Sequence, residues 1–98
     1  MEISKIGKSS TGIKIDMGNA NLLLIKSDKG FIMCGYLDME TAERLNDAAC
    51  IVRGVKNFDD MLNAGIAKVT TKAKELGIKE GMSGKDALKI FEGGEGKD

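Results

Sequence analysis

From Thr11 onward polar and apolar side chains alternate: Ile13, Ile15 and Met17 are separated by Lys14 and Asp16, the period of two that a half-buried strand requires. Gly18-Asn19 follows, and glycine at the first central position of a two-residue loop suits the type II′ turn that joins antiparallel strands. That turn sets Met17 opposite Ala20, Ile15 opposite Leu22 and Ile13 opposite Leu24, apolar against apolar. A second turn, Asp28-Lys29-Gly30, fits a three-residue loop with Gly30 left-handed, which places Ser27 opposite Phe31 and Leu24 opposite Cys34. Ahead of this meander, Ile3, Lys5 and Gly7 alternate weakly with Ser4, Ile6 and Lys8, the pattern of an edge strand.

This register sorts the side chains into two faces. Ile13, Ile15, Met17, Ala20, Leu22, Leu24, Ile32, Cys34 and Tyr36 share the first, which is expected to be covered by helices. Leu23, Ile25, Phe31 and Met33 share the second with Lys14, Asp16 and Asn21; this mixed face is expected to meet a later helix or a second copy of the chain, making a homo-oligomer.

Past Tyr36 the period lengthens. Met39, Ala42 and Leu45 recur at helical spacing behind Asp38, an N-cap, and Ala49-Cys50-Ile51-Val52 is then a short β-prone run that a crossover helix would make parallel to its neighbour. Asn57 with Asp60 caps a second helix stopped by Gly65; Ile66 to Thr70 is read as a strand, with a longer helix as the alternative. Thr70 or Thr71 caps a helix running through Leu76 to a left-handed Gly77, and Ser83 with Asp86 caps the last, carrying Ala87, Leu88 and Phe91. The predicted fold class is α/β of the α+β type: an N-terminal antiparallel β-meander extended by one or two further strands, with three to four short helices mainly on one face. A single domain spans residues 1–92, and 93–98, with nothing to bury, is expected to be a disordered tail.

Composition narrows the function. Fifteen basic residues balance fifteen acidic ones and aromatics are 4% with no Trp, so neither a field for phosphate backbones nor stacking platforms exist, and no nucleic acid partner is expected. Apolar runs such as Leu22 to Ile25 are far short of the ~20 residues of a membrane span, and Met1 to Lys8 lacks the core of an export signal. A cytoplasmic protein with two free thiols, no membrane association and no disulfide is expected.

The absence of His removes the commonest metal ligand and general base, and the two cysteines form no metal-binding spacing, so no metal or cofactor is implied. Gly7-Lys8-Ser9 resembles the end of a phosphate-binding loop, but Glu2 stands where that motif needs glycine; Gly81-Met82-Ser83-Gly84-Lys85 fails in the same way at Lys79. Cys34 is the one candidate nucleophile, with Gly35 allowing close approach and Tyr36 able to donate a proton; the register aims its thiol at apolar neighbours, which favours a core role. An open cleft beside a charged group would reverse that preference. Arg53-Gly54, at the end of a predicted strand, sits where α/β sheets bind ligands, and an Arg fork grips carboxylate or phosphate; a surface salt bridge accounts for Arg53 equally well. Asn19 and Asn21 flank Ala20 beside the first turn, where turn chemistry alone favours Asn.

Ala20-Asn21-Leu22-Leu23-Leu24-Ile25, Lys29 through Tyr36, Arg53-Gly54-Val55-Lys56, Ala73 through Ile78, and Gly81-Met82-Ser83-Gly84 with Ala87-Leu88 together resemble the YunC-like family, domain of unknown function 1805. Gly18 departs from the resemblance, which implies proline ahead of the Asn-containing segment. The resemblance implies a compact prokaryotic α/β domain with no established activity, and draws attention to Asn21, Cys34, Gly35, Tyr36, Arg53 and Gly54. The leading expectation is a non-catalytic binding or self-associating module, with Leu23, Ile25, Phe31 and Met33 as the interface. The alternatives are a small enzyme using Cys34 as a reactive thiol, or a protein binding a small anionic ligand through Arg53.

Overall fold

The alternating segment folds into a ladder of strands in the computed structural model, which describes residues 1–93. β1 (Glu2–Ile6), β2 (Ser10–Asp16), β3 (Asn21–Lys26) and β4 (Phe31–Met33) form an antiparallel meander, and β5 (Ala49–Ile51) and β6 (Lys68–Val69) extend it to six strands in sequence order. Among the described residues only β4 and β5 run parallel. Their crossover contains α1 (Met39–Arg44); α2 (Phe58–Asn63), α3 (Thr71–Glu75) and α4 (Gly84–Phe91) follow. Asp38, Asn57, Thr70 and Ser83 cap the four helices, each side chain accepting a backbone N–H of the first turn, as expected. Of the predicted tail, Gly93 is the left-handed stop after α4, and 94–98 lie outside the described residues.

The first hairpin has the predicted register: Met17 N–H donates to the Ala20 carbonyl at 2.9 Å, and Ile15 and Ile13 pair with Leu22 and Leu24. The second does not. Ser27 N–H donates to the Gly30 carbonyl at 2.8 Å, leaving the two-residue loop Asp28-Lys29, so that Leu24 pairs with Met33 and Ile25 with Ile32. Gly30 does not take the left-handed conformation expected of it. Glycine is needed there for space: a Cβ would overlap the Ala48 carbonyl oxygen and the Phe91 ring. Phe31 N–H donates to that same carbonyl at 3.1 Å, which starts the pairing with β5.

A slip of one residue exchanges the two faces of a strand. Ile32 and Cys34 therefore join Leu23 and Ile25 rather than Leu24, and with Cys50 and Val52 they form the sheet side of the main core. Met61 of α2, Ala73 of α3 and Phe91 of α4 close it from the other side. Met33, Ala49 and Ile51 face the opposite way and pack beneath Ala42 of α1 in a second cluster. The four residues expected at an interface are thus corrected: Leu23 and Ile25 are fully buried under helices, Met33 is buried beneath α1, and Phe31 is half-buried beside it. Met17, Ala20 and Tyr36, assigned to the covered face, are exposed.

The Gly7-Lys8-Ser9 turn between β1 and β2 does hold an anion, supplied by the chain itself. With Gly7 at φ 60°, the backbone N–H groups of Lys8 and Ser9 donate to Glu92 Oε2 at 2.9 and 3.0 Å, and the Ser10 hydroxyl donates to the same atom at 2.6 Å. Partial burial pushes the Glu92 carboxyl up, but Ser10, the two amides and the Lys8 charge outweigh it, and the group sits below its usual range.

Two outcomes are expected in urea denaturation. Gly30→Ala should cost about 3 kcal/mol, because the added methyl meets backbone on one side and a packed ring on the other. Glu92→Gln should cost about 1–2 kcal/mol at neutral pH, the worth of charged hydrogen bonds at a partly exposed site. Folding depresses this carboxyl, so its contribution is complete above the ordinary value of 4.5 and is lost as pH falls through the lower folded value. The gap between wild type and Glu92→Gln should close on acidification.

Candidate functional site

The parallel pair creates the cleft. β4 hands the chain to α1 on one face of the sheet, whereas β5 hands it to α2 on the other, so the two chains part at their carboxyl ends. In an open α/β sheet such a divergence is where ligands enter. Val52 N–H donates to the Met33 carbonyl at 3.0 Å as the two strands end. Beyond it, Cys34 to Leu37 make a turn closed by Leu37 N–H on the Cys34 carbonyl at 3.2 Å, while Gly54 takes φ 70° and leads the other strand away.

Between the two departing segments lies an open cavity of about 310 Å³ lined by Ala20, Asn21, Cys34, Gly35, Tyr36, Gly54 and Val55. Five of the six candidate residues named from sequence therefore share one wall, though they come from three separate segments. The sixth, Arg53, is exposed and does not line the cavity; its Nη1 lies 4.0 Å from the point a Cβ on Gly35, a lining residue, would occupy. Among the described residues the salt bridges join Lys14 to Glu2 and Lys72 to Glu75, and neither involves Arg53. Asn19 stays in the exposed turn outside the cavity.

Cys34 has two surroundings at once. Its Sγ accepts the Leu23 N–H at 3.2 Å and belongs to the main core, yet the residue also forms part of the cavity wall. The corrected register is the cause: pairing with Leu23 turns the side chain toward the α2 side of the sheet, at the level where β4 and β5 separate. Cys50, one strand over and in the middle of β5, is wholly enclosed, and burial pushes its thiol up to about 12. The two free cysteines thus differ in access although both are buried. Asn21 opens β3, and its Nδ2 donates to the Lys56 carbonyl at 3.4 Å, tying the meander to the segment after Arg53-Gly54. Tyr36 is 48% exposed.

Sequence reasoning missed Ala20 and Val55 as lining residues; small and apolar, they carry no chemical signature. Among the described residues no three Cys, Asp or Glu side chains gather as metal ligands do, and no helix is long and apolar enough to cross a membrane.

The comparisons with known proteins agree with this fold. Residues 33–91 match the family model of the domain of unknown function DUF1805. The chain is 36% identical over 86 residues to the uncharacterised protein YunC of Bacillus subtilis, covering 84% of this chain and 85% of that one. It is also similar to the crystal structure of a protein of unknown function, TA1206, from Thermoplasma acidophilum, at 40% identity and a TM-score of 0.84, covering 92% of this chain and 89% of the other. With the family model matched from the last residue of β4 to the last of α4, more than half of the chain, this chain belongs to the DUF1805 family.

Proposed function

We propose that the chain is a non-catalytic binding module whose cleft at the ends of β4 and β5 holds a small anion, a carboxylate or a phosphate. The observation that carries this reading is the Arg53 guanidinium, without an acidic partner among the described residues, beside a cavity where the two parallel strands diverge. A guanidinium offers paired donors that match either anion. Asn21 and Tyr36 add polar groups, and Gly35 and Gly54 leave the backbone open to a ligand. The module works in the reducing cytoplasm, a compartment that suits its two unpaired thiols.

Thermal unfolding measures this directly. An anion at a hundredfold its dissociation constant stabilises by about 2.7 kcal/mol, which for a domain of this size raises Tm by on the order of 10 °C. Acetate or inorganic phosphate should raise the Tm of the wild type, and the rise should vanish in Arg53→Ala. It should vanish also in Gly35→Val, whose side chain enters the cavity with only the Arg53 side chain near it. An unmoved wild type, or an equal rise in Arg53→Ala, would refute the assignment.

A second reading rests on the cavity wall at Cys34: the open cleft that would reverse the preference for a core role is present, but the residue is 4% exposed and its Sγ accepts the Leu23 N–H, which keeps the non-catalytic reading first. The thiolate could attack an electrophilic carbon of the bound molecule while the Tyr36 phenol protonates the leaving group. Iodoacetamide should then label Cys34 in the folded protein, more slowly with the anion bound, and spare Cys50 until denaturant is added. If both thiols react only on unfolding, Cys34 is a core residue and thiol chemistry is excluded.

A further inference from the structure

We infer that two copies of this chain meet as a twofold dimer through the side of the sheet that carries α1. The inference is independent of the anion-binding reading above. On that side one row of apolar side chains crosses five strands in register: Ile3, Ile13, Leu24, Met33 and Ile51. α1 covers the inner end of the row, where Met33 and Ile51 are buried; Leu24 and Ile13 are half-buried, and Ile3 is 63% exposed. Ile13 and Ile15 belong to neither core cluster. The exposed large apolar residues gather on the same side: Met1, Ile3 and Met17 share the parity of the row, and Tyr36 and Leu45 line a groove beside α1. Among the described residues only Leu76 is exposed elsewhere. An apolar surface this concentrated marks an association site.

Size, shape and charge fit a second copy. Strands β1 to β3, spaced about 4.8 Å apart, with seven residues in β2, make an open floor of roughly 14 by 23 Å in projection. That is short of the ~800 Å² per partner that a stable interface buries, so the occupant has to cover the flank of α1 as well. A second copy, rotated about an axis parallel to the strands, does both. Its floor lies on this one, apolar against apolar. Stacked sheets stand about 10 Å apart and a helix is about 10 Å across, so α1 of each copy comes level with the other sheet and beside β1, its free edge. Such an axis preserves level along the strands. Lys5 lies on this side in the row that ends at Phe31 and Ala49, and Asp47 lines the groove with Phe31. Lys5 of one copy therefore meets Asp47 of the partner subunit, opposite charge against opposite charge. The salt bridges among the described residues involve neither.

Sedimentation equilibrium of the whole chain, from low micromolar to submillimolar concentration, tests this. The wild type should pass from one chain to two. Ile3→Asp, at an exposed position, sets a charge against the apolar floor and should raise the dissociation constant by about tenfold or more, whereas Ile3→Val should preserve the dimer. Met17→Lys, at the far end of the floor, repeats the test should Ile3→Asp fail to fold. Lys5→Glu and Asp47→Lys should each weaken the dimer, and the two together should restore it, because the exchange rebuilds the pair between copies. A wild type that stays monomeric would overturn the inference and assign the face to a different partner. A dimer indifferent to both Ile3→Asp and Met17→Lys would overturn it too, and a double variant no better than its parents would overturn the arrangement of the two copies.

Discussion

The close approach at Gly30 decides the rest of this structure. A three-residue strand such as β4 has too few ladder bonds to select its own register, and the selection is made by what stands around its first residues. The Ala48 carbonyl and the Phe91 ring leave no room for a side chain at Gly30, and Lys29 N–H donates to the Phe91 carbonyl at 3.0 Å. Sheet, crossover and last helix are therefore locked at one point. From that point the pairing of Leu23 with Cys34 follows, and with it the face on which the thiol lies.

That same locking makes β4 the strand at which direction changes, antiparallel to β3 and parallel to β5. Because the connections leave on opposite faces, backbone diverges where Cys34, Gly35, Arg53 and Gly54 stand, and a cavity is the geometric result. Among the described residues one group of anion donors is filled by the chain's own carboxylate and another has no acidic partner. At the Gly7-Lys8-Ser9 turn the amides are satisfied by the Glu92 carboxylate, which ties the end of α4 to the turn between β1 and β2. At the cleft the guanidinium has no acidic partner among the described residues. The first is a fastening within the fold, and the contrast is why ligand binding is assigned to the second.

Much of the fold was legible because its signals are local. Period-two alternation marked β2 and β3, and Asp38, Asn57, Thr70 and Ser83 marked four helix starts through bonds spanning two or three residues. Arg53 and Gly54 were legible by position, at the end of a β-prone run. The register of β4 was not, since a glycine that turns a loop and a glycine that makes room for a distant ring look alike in sequence; Phe91 lies far along the chain. The placing of Ile32 and Cys34 on the face of Leu24, and of Phe31 and Met33 beside Leu23 and Ile25, descends from that one ambiguity; of the two covers expected for Leu23 and Ile25, a later helix or a second copy, it is helices that bury them. Ile66 to Thr70 was read correctly as extended: Lys68–Val69 form the ladder with β5, the Ala67 and Thr70 N–H groups on either side donate to the Ile51 and Ala49 carbonyls, and Ile66 N–H turns away to the Met82 carbonyl at 2.8 Å. The apolar cavity under α1 left no trace in the sequence, since Leu45 repeats at the same helical spacing as the buried Ala42.

The register itself is open to direct measurement in solution by nuclear Overhauser contacts between the backbones of β3 and β4. The account predicts cross-strand contacts that pair Leu23 with Cys34 and Ile25 with Ile32. Contacts pairing Leu24 with Cys34 instead would move the thiol to the other face of the sheet, take it out of the cleft, and contradict the account at its base.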